Sequence, residues 1–138
     1  MRKIIVAVAF AMVGCVTPYQ PKGLTGGYED EREAPGVYLV SARGNGHTGI
    51  ATLRSYVLRR GQELCEAEGF PRMRLIGATV DTQTDQTPAT YVAHSNSTVT
   101  QYGGQSYSRH AVTARAVCMT EAEFQAWRNG ERAKLMGQ

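Results

Sequence analysis

A small α+β domain, with one sheet covered by a helix, is the fold class that this 138-residue chain predicts. Three observations carry the prediction. The run "VYLVSAR" (37–43) alternates apolar and polar residues as a half-buried strand does, and "SRHAVTARAVC" (108–118) does the same over a longer span. Between them, Ile50, Leu53, Val57, Leu64 and Ala67 recur at helical spacing. The order that results is β-α-β-(long polar loop)-β-α, in which a helix lies on a sheet of separate strands.

Each element has its own signal. The first strand ends in the turn residues "GNG", and Thr48 stands where a helix cap is wanted, so a helix is expected from about Gly49 to Glu68. Gly61 interrupts its apolar stripe at a place where close packing is expected. "EGFPR" ends that helix, and "MRLIGATVD" (73–81) follows as a second strand. Residues 82–106 are rich in Ser, Thr and Gln and read as a mobile β-excursion or loop, with Tyr91, Val92, Val99 and Tyr102 as its only large apolar anchors. In the third main strand (107–118), His110, Val112, Ala114, Ala116 and Cys118 share one face, and Arg109, Thr113 and Arg115 share the other. Thr120 and Glu123 have the spacing of a capping box, and Phe124 and Trp127 then dock a C-terminal helix on the domain.

Upstream of the domain the chain reads differently. Arg2 and Lys3 precede an apolar run from Ile4 to Val13, too short for the roughly 20 residues that a membrane-spanning helix needs. These are the proportions of a secretory signal. The run ends in Met12-Val13-Gly14-Cys15, which resembles the lipobox of bacterial lipoproteins, apart from Met12 where Leu is commoner. That resemblance implies a signal peptide of residues 1–14 and a diacylated, palmitate-type anchor on Cys15. By analogy with enteric lipoproteins, Val16 rather than an aspartate implies the outer membrane, facing the periplasm. One acyl chain binds a bilayer marginally, whereas two or more hold it stably. Residues 15–36, rich in Gly, Pro and charge, are then expected to be a flexible tether, with the run Glu29 to Glu33 simply solvated. The folded domain is expected over 37–138.

Charge excludes little but points away from nucleic acid. The formal net charge is +3, and Arg2 and Lys3 belong to the removable segment, so the mature chain is close to neutral. Of the three cysteines, assigning Cys15 to lipid leaves Cys65 and Cys118 as an even pair in an oxidising compartment. Both fall on core-facing sides of their elements, so a disulfide is expected, with two separate buried thiols as the alternative.

Gly44, Gly46 and Gly49 spell G-x-G-x-x-G between a strand and a helix, the order of a dinucleotide fold. Such a fold requires an acidic residue at the end of the second strand, about 20 positions past the glycines, whereas Asp81 closes that strand about 32 residues past Gly49. The favoured reading is a tight turn, with Gly44 and Gly46 supplying positive φ, Asn45 tolerating it and Thr48 capping the helix. An anion such as a lipid phosphate bound at free helix-start amides is the weaker alternative. No nucleotide and no other cofactor is expected.

From Gly27 to Phe70 the chain resembles a group of small bacterial lipoproteins of uncharacterised molecular function, the CC0125/CC1285 lipoprotein family. The residues that carry the likeness are Gly27-Tyr28, Val37 to Val40, Arg43 to Gly46 with Thr48, Tyr56, Leu58-Arg59-Arg60, Glu63-Leu64 and Gly69-Phe70. Cys65 and the C-terminal helix depart from it. The resemblance implies a class and no catalytic residues.

Three functional expectations follow. The first is a non-enzymatic lipid-anchored envelope module, with Arg54, Arg59 and Arg60 as a possible contact face for an envelope protein, lipopolysaccharide or peptidoglycan. The second is a periplasmic thiol-dependent hydrolase using Cys65 with His47, His94 or His110, although Cys65 lies late in a helix and on its buried side. The three histidines lack metal-ligand spacing. The third is a sensor in which a Cys65–Cys118 bridge reports envelope redox state.

Overall fold

The computed structural model describes residues 15–93, 95 and 97–137, so the expected signal segment 1–14 and His94 lie outside the described residues. The chain is α+β. Strands β1 (Gly27–Ala34) and β2 (Val37–Arg43) precede helix α1 (Ile50–Ala67). Strands β3 (Arg72–Gln86), β4 (Ala89–Ala93), β5 (Val99–Gly103) and β6 (Ser106–Met119) then lead to helix α2 (Glu121–Met136). Four strands form one sheet in the order β1-β2-β6-β3, every neighbouring pair antiparallel, and β4 and β5 form a separate hairpin.

The core lies between α1 and one face of this sheet. Tyr38, Val40 and Ala42 of β2 and Val112, Ala114, Ala116 and Cys118 of β6 point into it, as the period-2 pattern predicts. From α1 come Leu53, Val57, Gly61 and Cys65, all buried. Burying Leu53 and Val57 stabilises the fold by about 1.5 to 3 kcal/mol each. Gly61 lets the helix approach the sheet: a Cβ there would stand 2.9 Å from the Cβ of Ala116. Cys65 and Cys118 are bonded across this layer, with Cα atoms 5.2 Å apart, and so the expected pair is a bridge.

Helix α1 stops in a Schellman arrangement. Gly69, at φ +87°, donates to the Glu66 carbonyl at 2.9 Å, and Phe70 donates to that of Cys65 at 2.9 Å. Phe70 then packs on the core edge. Helix α2 begins as expected, with Thr120 accepting from the Glu123 amide and the Glu123 carboxylate accepting from that of Thr120 at 2.7 Å. It is held to β3 by Arg72, which meets Glu121 at 2.6 Å and lies over the Phe124 ring, and by Arg74 over Trp127.

One expectation is corrected. Residues 15–36 are not a tether: Gly27–Ala34 is an edge strand paired along β2, and residues 15–26 fold back onto the domain. On β1, Tyr28, Asp30 and Arg32 oppose Ala42, Val40 and Tyr38, so charged residues occupy the helix-facing side of an edge. They are satisfied there by α1, through Asp30–Arg60 at 2.7 Å and Arg32–Glu68 at 2.9 Å. Of the two readings of 82–106, the β-excursion is the one found. Strand β3 runs on to Gln86 and β6 begins at Ser106, so the two extend past the sheet as a two-stranded ribbon that continues into the β4–β5 hairpin.

Candidate functional site

The polar centre of the molecule forms where the chain just after Cys15 meets the loop between β2 and α1. Thr17 is fully buried, and so is Thr48. The Thr17 amide donates to Thr48 Oγ1 at 2.8 Å, the Asn45 amide donates to Thr17 Oγ1 at 3.0 Å, and Thr17 Oγ1 donates to the Thr25 carbonyl at 2.8 Å. The Tyr56 hydroxyl donates to the Thr17 carbonyl at 2.7 Å, and Asn45 Nδ2 donates to the carbonyl of Cys15 at 2.7 Å. Buried polar groups are costly unless paired, so these mutual bonds fix the chain at residue 17. The Cys15 thiol is exposed and free.

This socket explains the glycine-rich stretch. The amides of Gly44, Asn45, His47 and Thr48 are spent inside the protein, on the His110 carbonyl, Thr17 Oγ1, Asn45 Oδ1 and the Asn45 carbonyl. Gly44 and Gly46 are not at positive φ, contrary to the expectation. Gly44 is required because a Cβ would stand 2.6 Å from that of Thr48, whereas Gly46 has the ring of Tyr107 alongside. Thr48 does not cap α1 either. Gly49 is the N-cap without a side-chain bond, since the Thr48 hydroxyl is engaged by Thr17 and Asn45.

An aromatic and ionic clasp continues the attachment. The Tyr19 ring lies 4.6 Å from that of Tyr28 and 5.4 Å from that of Tyr56, and Arg59 stacks 4.0 Å above it. The Tyr19 hydroxyl donates to Glu63 at 2.6 Å, and Arg59 reaches the same carboxylate at 3.0 Å. Burial, and then Glu63, push the Tyr19 phenol well above its ordinary range. The Tyr19 hydrogen bond and then Arg59 and Arg60 hold Glu63 below the ordinary carboxylate range. Beside it, Gly27 sits at φ +131°, where a Cβ would collide with the carbonyls of Gln20 and Pro21.

The arginine face expected from sequence is thereby divided. Arg59 and Arg60 are engaged by Glu63 and Asp30 and by the rings of Tyr19 and Tyr28. Arg54 is exposed, at the rim of an apolar groove of about 260 Å³ between α1 and β3 that is lined by Leu58, Leu75, Ala78 and Val112. Of the histidines, His47 is exposed, and His110 Nδ1 lies 3.0 Å from Thr82 Oγ1. Cys65 offers neither of them a free thiol, since its sulfur is bonded to Cys118 and the residue is 1% exposed. Among the described residues, no group of three or more His, Cys, Asp or Glu is placed to hold a metal ion, and no helix is long and apolar enough to cross a membrane.

Sequence reasoning missed Thr17, Tyr19 and Asp30. The tyrosines Tyr19 and Tyr28 were the available signal, because a solvated tether gives an aromatic ring nothing to pack on. Comparison with protein-family models, curated proteins and solved structures found no match for the chain.

Proposed function

We propose that this chain is a lipid-anchored protein of the bacterial cell envelope, a non-enzymatic binding or structural module mounted on the periplasmic face of the outer membrane through Cys15. The observation that carries the reading is the division of the three cysteines. Two are bonded across the core, while the third stands exposed at the lipobox-like position, with its carbonyl held by Asn45. A bridged pair suits an oxidising compartment, and an exposed thiol at that position suits acylation. The likeness of Gly27–Phe70 to small bacterial lipoproteins belongs to the same proposal and rests on the residues quoted above. An envelope protein, lipopolysaccharide or peptidoglycan is the class of partner that such a placement offers.

The experiment is the intact mass of detergent-extracted protein, alkylated before and after reduction. The expected protein lacks residues 1–14, carries acyl chains on Cys15 and takes up alkylating reagent only after reduction. Cys15→Ser is expected to remain uncleaved and unacylated. An unacylated wild-type Cys15 would overturn the proposal.

A further inference from the structure

We propose that the β3–β6 ribbon and the β4–β5 hairpin are a second membrane contact, resting at the headgroup level of the bilayer in which Cys15 is anchored. This inference rests on the anchored reading above and adds to it a defined element and a depth.

Position is the first argument. Arg43–Ala111 is the last pair of β2 with β6, and beyond it Ser106–His110 pairs only with Thr82–Gln86. The ribbon therefore leaves the sheet at the end where the socket lies. The Gly44 amide donates to the His110 carbonyl at 2.9 Å, a Cβ on Gly46 would meet the Tyr107 ring at 3.3 Å, and Asn45 holds Cys15. The anchor and the root of the ribbon are neighbours.

Chemistry is the second. Between Asp85 and Arg109 the chain carries no Asp, Glu, Lys or Arg, and those two flanking charges pair with each other at 2.8 Å. Beyond that pair, Tyr91, Val92, Val99 and Tyr102 are all exposed, from 41% for Val92 to 65% for Tyr91. Tyrosine is enriched at the membrane interface, where its ring meets apolar matter and its hydroxyl meets water.

Geometry is the third. The pairings Tyr91–Gln101 and Ala93–Val99 put Tyr91 and Val99 on one face of the hairpin. Thr90–Tyr102 and Val92–Thr100 put Tyr102 and Val92 on the other. A packed protein surface covers one face of such a hairpin, whereas immersion in the interface covers both. An isolated two-stranded hairpin is marginal in water, so the exposed pair gains from such surroundings. Depth is limited as well. Among the described residues no further strand pairs with the outer edges of β4 and β5, and an open sheet edge does not enter the hydrocarbon. The element therefore lies at the surface and does not span.

The test uses the full chain, extracted from membranes and reconstituted in vesicles of phosphatidylethanolamine and phosphatidylglycerol. Single fluorescent labels are placed through Ser95→Cys, between β4 and β5, or through Glu66→Cys, about 24 Å along α1 from its start next to the socket. Lipids with a nitroxide near the headgroup are expected to quench the Ser95 label and leave the Glu66 label unaffected, with little dependence on salt because the hairpin carries no Asp, Glu, Lys or Arg. Tyr91→Asp with Tyr102→Asp is expected to abolish the quenching with the far-ultraviolet circular dichroism unchanged. The mass of each sample reports acylation of Cys15, so loss of the anchor and loss of the contact are separate outcomes. A Ser95 label on acylated protein that is as unquenched as the Glu66 label overturns the proposal and leaves the hairpin to a protein partner.

Discussion

Replacing Cys65 and Cys118 together by alanine is expected to lower the stability of the domain by about 4 kcal/mol, read from the midpoint of urea unfolding. The two residues are 53 apart in sequence, and their bond removes a large loop's freedom from the unfolded chain. The fully buried apolar set is short, with Leu53, Val40, Val57 and Val112 as its bulkiest aliphatic members. A domain of this size has about 5 to 15 kcal/mol of stability in all, so the bridge is a large fraction of it. A change below about 1 kcal/mol would mean that the helix-on-sheet core holds without the bridge. A redox sensor would then become a more natural use for the pair than a structural one.

Gly44→Ala is the second large effect, a loss of about 1 to 3 kcal/mol. The added methyl meets the Thr48 side chain 2.6 Å away, and Thr48 is pinned between Thr17 and Asn45 with no room to retreat. The same change at Gly49 meets nothing within 4 Å and should cost little, while at Gly46 it meets the half-exposed Tyr107, which can swing aside. The three glycines of the G-x-G-x-x-G spacing are thus unequal, as packing demands. Equal, large losses at all three would contradict the socket.

The elements that own their apolar pattern were legible in the sequence. Strand β2 was read to the residue, α1 to within one residue at each end, and α2 from its capping box, because in each the local signal and the tertiary packing agree. The alternation of β6 placed Cys118 on the face that α1 covers, which made the bridge foreseeable. Strand β1 was not legible, because its helix-facing residues are Tyr28, Asp30 and Arg32. A charged run on an edge strand looks like a solvated one until its partners Arg60 and Glu68 are known. The ribbon was legible only as one of two alternatives, for the opposite reason: Thr82–Gln86 and Ser106–His110 pair through backbone with little buried on either face, so no hydrophobic period marks them. The socket was hidden because it is built from long-range hydrogen bonds. Thr48 has the local form of a cap, and Thr17, 31 residues away, takes its hydroxyl instead.

The chain is fixed to the domain two residues after Cys15, so that whatever holds Cys15 also holds the domain close. Hydrogen exchange at the Thr17 amide tests it most directly. That amide is buried and donates to Thr48 Oγ1 at 2.8 Å. Exchange as slow as that of the β2 core amides around Val40 is expected. Exchange at the rate of a free peptide would show that residues 15–26 are a tether after all, and the socket would fall with it.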